Sequence, residues 1–423
     1  MALIVHKYGG TSMGSTQRIK NVARRVAKWH AAGHQIIVVP SAMSGETNRL
    51  LGLAHEITAD PDPRELDMIA ATGEQVSVGL LAIALKDLGI KAHSFTGWQV
   101  PIRTDSAFTK ARIEKIHDEK VLSYVRSGAV AIVAGFQGVD EHGNVTTLGR
   151  GGSDTSAVAV AAAFGALECL IYTDVDGVYT TDPRVVPEAK RLKVISFEEM
   201  LEMASLGSKV LQIRSVEFAG KYHVPTRVLS SLTDPMIPLE DEMNSGTLIT
   251  FEEDENMEQA VISGIASNRD EAKITLMGVP DRPGVAYQIL GPVAKSNIDV
   301  DMIIQNQSVN GTTDFSFTVH RNELAKTLEV LNSQVKDVVK AREIMGDAKV
   351  AKVSAVGIGM RSHVGIAALM FETLFREGIN IQMISTSEIK ISVIIEDKYM
   401  ELAVRALHKV FGLDEEVRPS LTP

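Results

Sequence analysis

The chain contains one cysteine, Cys169, in 423 residues. A single thiol excludes an internal disulfide and a cysteine metal cluster, fits a reducing compartment, and leaves packing as its expected role. Positive charge is also short: 43 Lys and Arg against 53 Asp and Glu give a formal net charge of -10. With no basic excess to neutralise phosphodiesters, neither a nucleic acid nor an anionic membrane is an expected partner, and any phosphate site has to be local. Long hydrophobic runs are missing. The longest, Ala157 to Leu167, is alanine-rich and too short to span a bilayer, and the N-terminus has no signal-peptide core, so a cytoplasmic location is expected. No Walker A motif and no kinase HRD or DFG set occurs, so a phosphoryl-transfer site would be built differently here.

What is present is a globular composition, 45% hydrophobic and 23% charged, with length for two or three domains. In the first half, β-prone runs at Leu3 to His6, Gln35 to Val39, Lys91 to Ser94, Ala129 to Ala134 and Glu168 to Thr173 alternate with helical patterns at Thr16 to His30, Arg64 to Leu88, Thr109 to Arg126 and Ser153 to Phe164. That alternation predicts an α/β layered domain with a mainly parallel sheet. Glycines and polar residues gather just after the strands, at the carboxyl edge where such sheets bind ligands.

Near Leu239 the texture changes. The acidic stretches PLEDEMNSG and TFEEDENME read as a solvated linker, and beyond them lies an internal repeat. Ala272-Lys273-Ile274 and Ala351-Lys352-Val353 each open a strand reaching Gly278 or Gly357, and Gly284 and Gly365 each precede a helix. At the same further spacing come Asn297-Ile298-Asp299-Val300-Asp301-Met302-Ile303 and Gly378-Ile379-Asn380-Ile381-Gln382-Met383-Ile384. Each copy predicts a ferredoxin-like βαββαβ module. Copy one continues with Asp314 to His320, Asn322 to Leu331 and a last strand near Val338 to Ile344. Copy two stops after Met400 to Phe411 without a final strand, whereas Gln259 to Ile265 precedes copy one and has no place in it. The expectation is that this orphan strand completes copy two, with the first module inserted in the second. The domains would then be 1–250, 266–345, and 257–265 plus 346–423.

Three stretches in the first domain point to anion chemistry. Lys7-Tyr8-Gly9-Gly10-Thr11-Ser12 puts a cation and side-chain-free turns at a strand end, where backbone N–H groups and a nearby helix N-terminus can meet phosphate. Leu148-Gly149-Arg150-Gly151-Gly152-Ser153-Asp154-Thr155 does the same at a helix start, with Ser153 and Asp154 expected as caps. Tyr172 to Arg184, YTDVDGVYTTDPR, is open to three readings: an acidic metal loop, a nucleotide pocket or a polar loop. Glu74 lies on a mostly apolar helix side, between Ala70 and Val78, and needs a partner such as a ligand amine or an internal lysine.

Together with Ser41-Ala42-Met43, Thr72-Gly73-Glu74, Ala134-Gly135-Phe136-Gln137-Gly138 and Gly207-Ser208-Lys209-Val210-Leu211, these motifs resemble the aspartokinases along essentially the whole chain. One departure is Gln212-Ile213-Arg214, where the family commonly has His-Pro-Arg; altered local packing rather than altered activity is expected. The resemblance implies an amino-acid-kinase fold with tandem ACT modules, and ATP-dependent phosphorylation of the β-carboxylate of L-aspartate in the lysine, threonine and methionine pathway. It implies Lys7, Asp154 and Lys209 as catalytic residues. ATP would meet Lys7, Tyr8, Gly9, Gly10, Thr173, Asp174, Tyr179, Asp182, Arg184 and Lys209. Aspartate would meet Ser41, Thr47, Glu74, Arg150, Gly151, Gly152 and Ser153. Mg²⁺ is expected with ATP, held mainly by phosphates and water, with no dedicated protein metal site.

Lysine, threonine or both are expected as feedback effectors, at Asp281, Gly284, Val285, Ala286, Asp299, Gln305, Asn380 and Ile381. A homo-oligomer through the ACT modules is expected, with Met257 placed for an internal start that would yield a short regulatory subunit. A fused homoserine dehydrogenase is not expected, since the chain ends soon after the second module. The competing readings are a glutamate or acetylglutamate kinase and a non-catalytic amino-acid sensor. Arg150, Glu74 and the doubled tail count against the first, and Lys7, Asp154 and Lys209 together against the second.

Overall fold

The computed structural model describes residues 2–117, 119–207, 210–251, 261–306 and 311–415. The chain divides into two compact units. Met1–Val178, Arg191–Ser205 and Lys209–Asn256 make the first; Tyr179–Lys190, Leu206–Ser208 and Met257–Pro423 make the second.

The first unit is built on an eight-stranded sheet in the order Val194–Ser196, Thr247–Thr250, Thr226–Ser230, Glu168–Thr173, Leu3–Tyr8, Gln35–Pro40, Val130–Val133, Ala92–Phe95. From Thr226–Ser230 to Ala92–Phe95 every pairing is parallel. The first strand, β1 (Leu3–Tyr8), is therefore central, and its carboxyl end opens between two parallel neighbours. Alternation along β1 sends Ile4 and Tyr8 into a core with Trp29, Val78 and Leu81 from the flanking helices Thr16–Ala31 and Thr72–Asp87. Lys7, one residue out of phase, meets Asp154 on the helix Gly152–Phe164 instead. A smaller sheet, in the order Ile113–Ile116, Ile102–Thr104, Gln137–Val139, Val145–Thr147, completes the unit.

Three expectations change here. The helix expected over Arg64 to Leu88 is two, Pro63–Ala70 and Thr72–Asp87, meeting at Ala71. This stretch is also long and apolar enough to cross a membrane by composition, and Leu81 and Leu85 are fully buried in the core of the unit. The helix expected over Thr109 to Arg126 begins only at Glu119; Ile113–Ile116 pairs with Ile102–Thr104, and cross-strand pairing overrides the helical spacing. The acidic PLEDEMNSG stretch is solvated on one side only, with Leu239 and Met243 packed against the core of the first unit. Its helix Leu239–Asn244 buries Glu242, which pairs with Arg25 at 2.7 Å and Lys28 at 2.5 Å and accepts from the Trp29 indole at 3.1 Å. Two cations offset the charge that made burial look unfavourable.

The second unit has a six-stranded sheet built around two long strands, Gly264–Pro280 and Glu343–Val356. They run antiparallel, slipping register near Asn268 and Glu271, so that Gly264–Asn268 pairs with Lys352–Val356 while Lys273–Met277 pairs with Glu343–Asp347. The later half of the first long strand also pairs with Thr312–Val319, which pairs with Val300–Gln305. The later half of the second pairs with Lys390–Glu396, which pairs with Met383–Thr386. Each repeat thus has four strands, and the end of the expected orphan run, Gly264 and Ile265, pairs with Val356 and Ala355 of copy two. Gln259 and Ala260 of that run lie outside the described residues. The last strand of copy one starts at Glu343 rather than near Val338, because Lys336–Val339 is helical and Lys340 turns the chain at φ 52°.

The repeat also sets up matched contacts. Lys273 donates to Gln382 at 2.5 Å, and its counterpart Lys352 pairs with Asp301, the counterpart of Gln382. Lys352 also pairs with Glu271 at 3.0 Å. Burial works against its charge, but Glu271 and Asp301 outweigh it and hold the ammonium above its ordinary pKa. Met302 and Met383 share one small core with Val350 and Ile394.

Glu242→Ala leaves Arg25 buried without its carboxylate, a loss of about 3–5 kcal/mol. Calorimetry is expected to show unfolding of the first unit roughly 10 °C lower, whereas the exposed neighbour Glu240→Ala should leave it in place.

Candidate active site

At the carboxyl end of β1 the chain turns sharply. Gly9 N–H donates to Tyr172 O at 3.1 Å, and Met13 N–H is shared between Gly9 O and Gly10 O. Gly10 passes so close to the neighbouring strand end that a Cβ there would stand 3.2 Å from Ala42 O. Just before the turn, Lys7 Nζ lies 2.5 Å from Asp154 Oδ1, both residues nearly closed to solvent. Tyr8 is wholly buried with its ring stacked on Tyr172, so it brings backbone rather than side chain to the edge.

Ala42 links this turn to Glu74. A Cβ on Gly73 would be 2.8 Å from the Ala42 methyl, and Ala42 N–H donates to Glu74 Oε1 at 3.0 Å. The other oxygen, Oε2, is buried without a hydrogen-bond partner. Burial pushes the Glu74 carboxyl up to about 7, and the Ala42 hydrogen bond pulls the other way. Ser41 and Thr47, both half-buried, flank Ala42 in sequence.

The Leu148–Gly152 loop leads into the helix Gly152–Phe164. Gly151 is its cap residue, left-handed at φ 70°, and no side chain caps it; Ser153 and Asp154 lie in its first turn rather than acting as the expected caps. Gly151 is required here: a Cβ would fall 1.7 Å from Gln212 Cγ. The departure at Gln212 therefore bears directly on this loop. Arg150 is exposed.

Three buried or half-buried groups that the motif reading did not select hold these pieces. Asp67 accepts from Thr147 N–H at 2.8 Å and Thr109 N–H at 2.9 Å. Gln137 donates to Ala71 O at 2.9 Å, at the start of the helix bearing Glu74. Arg214 donates to Leu148 O at 2.6 Å and Ala111 O at 3.1 Å. The available signal for Asp67 was its place two turns before Glu74 in an apolar pattern, and Gln137 stood inside a quoted motif.

The remaining candidates divide. Thr173 donates to Asp174 at 3.1 Å in the first unit. Tyr179, Asp182 and Arg184 belong to the second unit. There Arg184 grips Asp182, with Nε at 3.0 Å from Oδ1 and Nη2 at 2.7 Å from Oδ2, and these hydrogen bonds hold the carboxyl below its ordinary pKa. Lys209 lies outside the described residues. Of the effector candidates, Asp281, Gly284, Val285, Ala286 and Gln305 line one open cleft of about 400 Å³; Asp299, Asn380 and Ile381 are not among its walls. Among the described residues no three His, Cys, Asp or Glu side chains gather as ion ligands.

The amino acid kinase family model matches residues 2–230, and ACT domain models match 273–335 and 353–411. The aspartate kinase of Pseudomonas putida is 63% identical over 418 residues, 99% of each chain. The chain belongs to the aspartokinase family. Among aspartokinases of known structure, E. coli aspartokinase III in complex with aspartate and ADP, in the R-state, aligns at TM-score 0.79 and 25% identity over 96% of this chain and 99% of its own. The same E. coli enzyme in complex with lysine and aspartate, in the T-state, aligns at 0.74 and 26%, over 97% and 99%.

Gly151→Ala is expected to lower aspartokinase turnover at least about tenfold, since the left-handed backbone and the Gln212 overlap both oppose it. Adding Gln212→Gly should restore part of that loss in a coupled ADP-release assay, because only the overlap is removed.

Proposed function

We propose that the chain transfers the γ-phosphoryl group of ATP to the β-carboxylate of L-aspartate, giving 4-phospho-L-aspartate, the entry step to lysine, diaminopimelate, threonine and methionine. The observation that carries this reading is the buried Glu74 oxygen without a partner, one residue contact from the Gly9–Gly10 turn through Ala42. An ammonium is the complement such an oxygen calls for, and family membership supplies the amino acid.

The nucleophile needs no general base. An aspartate β-carboxylate, which ordinarily titrates at about 3.9, is already ionised near neutral pH; its oxygen bonds to the γ-phosphorus, the bond to the bridging oxygen breaks, and ADP leaves with the electron pair. The protein has to position the reactants and offset negative charge. Lys7, held by Asp154, faces the transferring group, and backbone N–H groups of Gly9, Gly10, Gly151 and Gly152 cradle oxygens. Lys209 adds the second cation on family grounds. Arg150 pairs with the substrate α-carboxylate, Glu74 with its ammonium, and Ser41, Thr47 and Ser153 lend polar contacts. Tyr8 lends backbone, and Thr173, Asp174, Tyr179, Asp182 and Arg184 take the nucleotide. A Mg²⁺ held by nucleotide phosphates and water would supply further charge neutralisation.

The same reading makes residues 1–250 catalytic, with module one at 266–345 inserted in a second module of 257–265 and 346–423. Lysine, threonine or both would occupy the cleft at Asp281–Ala286 and Gln305, where the left-handed Gly284 starts the helix Val285–Lys295 and its N–H groups suit a carboxylate. Effector binding there, in a cytoplasmic homo-oligomer assembled through these modules, would lower activity by favouring a less active arrangement. Asp299, Asn380 and Ile381 would contribute from a paired module, and a short subunit beginning at Met257 would share the assembly.

Three measurements test the catalytic reading. ADP release should be fast with aspartate and at least about a hundredfold slower with glutamate or acetylglutamate; equal rates would overturn the substrate. Lys7→Ala should lose on the order of a hundredfold in turnover, the size of one preorganised electrostatic contact. In the free enzyme Glu74 is neutral below about 7 and ionised above it, so kcat/KM for aspartate should rise toward that pH and then level, and the inflection should vanish in Glu74→Gln.

A further inference from the structure

The loop that carries Asp182 and Arg184 leaves the first unit at Val178 and returns at Arg191, yet Tyr179–Lys190 belongs to the second unit. Its neck is closed by Leu192 N–H donating to Val178 O at 2.8 Å. Beyond the neck, Val186 and Ala189 are buried in the same core as Ala403, Val404 and Leu407 of the helix Met400–Val410. Thr180 is the polar anchor. Its N–H donates to Lys190 O at 2.9 Å, its carbonyl accepts from Ile265 N–H at 2.7 Å, and its hydroxyl accepts from Lys190 N–H at 3.0 Å. The hydroxyl also lies 2.9 Å from His408 Nε2, on the helix Met400–Val410.

Nothing in packing alone asks for a histidine there. His408 is 1% exposed, on the helix whose Ala403, Val404 and Leu407 are buried in the apolar core. Burial holds its imidazole below the ordinary pKa against the opposing pull of Asp414 and Glu188. Its partner sits two residues before Asp182. The strand that meets Thr180 holds a second segment as well: Gly207, at φ 106°, lies so close that a Cβ would be 2.9 Å from Ser267 O, and Lys209 follows two residues later.

We infer that His408 is a positioning residue for the nucleotide, acting through the Thr180 hydroxyl to set the place of Asp182 and Arg184. The inference rests on the nucleotide role proposed above for those two residues. It makes the helix Met400–Val410 a support of the loop that carries Asp182 and Arg184.

The test is steady-state kinetics of the full chain with ATP and aspartate varied separately. His408→Leu removes the hydrogen bond to Thr180, and Thr180→Val removes it together with the Lys190 N–H bond to the same hydroxyl. They should raise KM for ATP about fivefold, the worth of one neutral bond, with KM for aspartate and kcat within about twofold. Thr180→Ser and His408→Gln keep the bonding group and should restore the ATP value. The Val/Leu double variant should be no worse than Thr180→Val alone. Asp182→Ala and Arg184→Ala, run in parallel, separate the two readings. If they raise KM for ATP while Thr180→Val does not, the nucleotide role stands and the positioning inference is overturned. If neither raises it, the nucleotide role fails and the inference falls with it. A rise in both KM values alike, unrestored by His408→Gln, would mark general loosening and also overturn it. Should His408→Leu fail to fold by circular dichroism, the Thr180→Val and Thr180→Ser pair decides.

Discussion

A lysine ammonium buried at the end of the central strand has to be matched by a carboxylate, and much of the first unit follows from that match. Lys7 reaches Asp154 at 2.5 Å only if the helix Gly152–Phe164 starts where it does. That start depends on residues without side chains. A Cβ on Gly152 would press within 2.9 Å of Leu148 and Phe136, and one on Gly135 would stand 3.0 Å from Ser153. Phe136 itself takes a left-handed backbone at φ 69° to make the turn. The loops around this ion pair are therefore interlocked and hold the cation in place, as the electrostatic role proposed for Lys7 requires.

Other charges withdrawn from water obey the same rule. Glu242 answers Arg25 and Lys28, and Lys352 answers Glu271 and Asp301. Asp67 has no cation but collects two backbone N–H groups and the Thr147 hydroxyl; burial still raises its pKa. Glu74 departs from the pattern, with one oxygen satisfied and the other not. Its carboxyl is correspondingly poised near neutrality, and in the proposed reaction the substrate ammonium completes it.

In the second unit the duplicated modules are joined by continuous strands. Gly264–Pro280 and Glu343–Val356 each serve one repeat with one half and the other repeat with the other half. The cross-contacts repeat with different chemistry, Lys352 to Asp301 on one side and Lys273 to Gln382 on the other. The same strand system takes in Thr180 and Gly207. Tyr179–Lys190 and Gly207, which lie in sequence beside residues of the first unit, thus belong to the second unit.

The order of elements along the chain was readable because strands and helices in a parallel sheet leave strong local periodicities, and the repeat because two copies keep one spacing. Lys7, Glu74 and Asp154 were readable because a charge next to glycines or on an apolar face is locally anomalous. Local pattern failed where long-range partners supplied the energy. Ile113–Ile116 became a strand because Ile102–Thr104 lies beside it. Glu242 became core because Arg25 and Lys28, more than two hundred residues earlier, offset its charge. Asp67 and Arg214 support the Leu148–Gly152 loop from distant positions, and spacing carries no record of that. Nor could any local pattern assign Tyr179–Lys190 to the second unit, since the core that Val186 and Ala189 join draws on Ile262 to Leu413, and the histidine that meets Thr180 lies over two hundred positions further on. Sequence spacing records which residues are neighbours along a helix or strand; which charge is paired, and which loop is held, depends on contacts that exist only after the chain has folded.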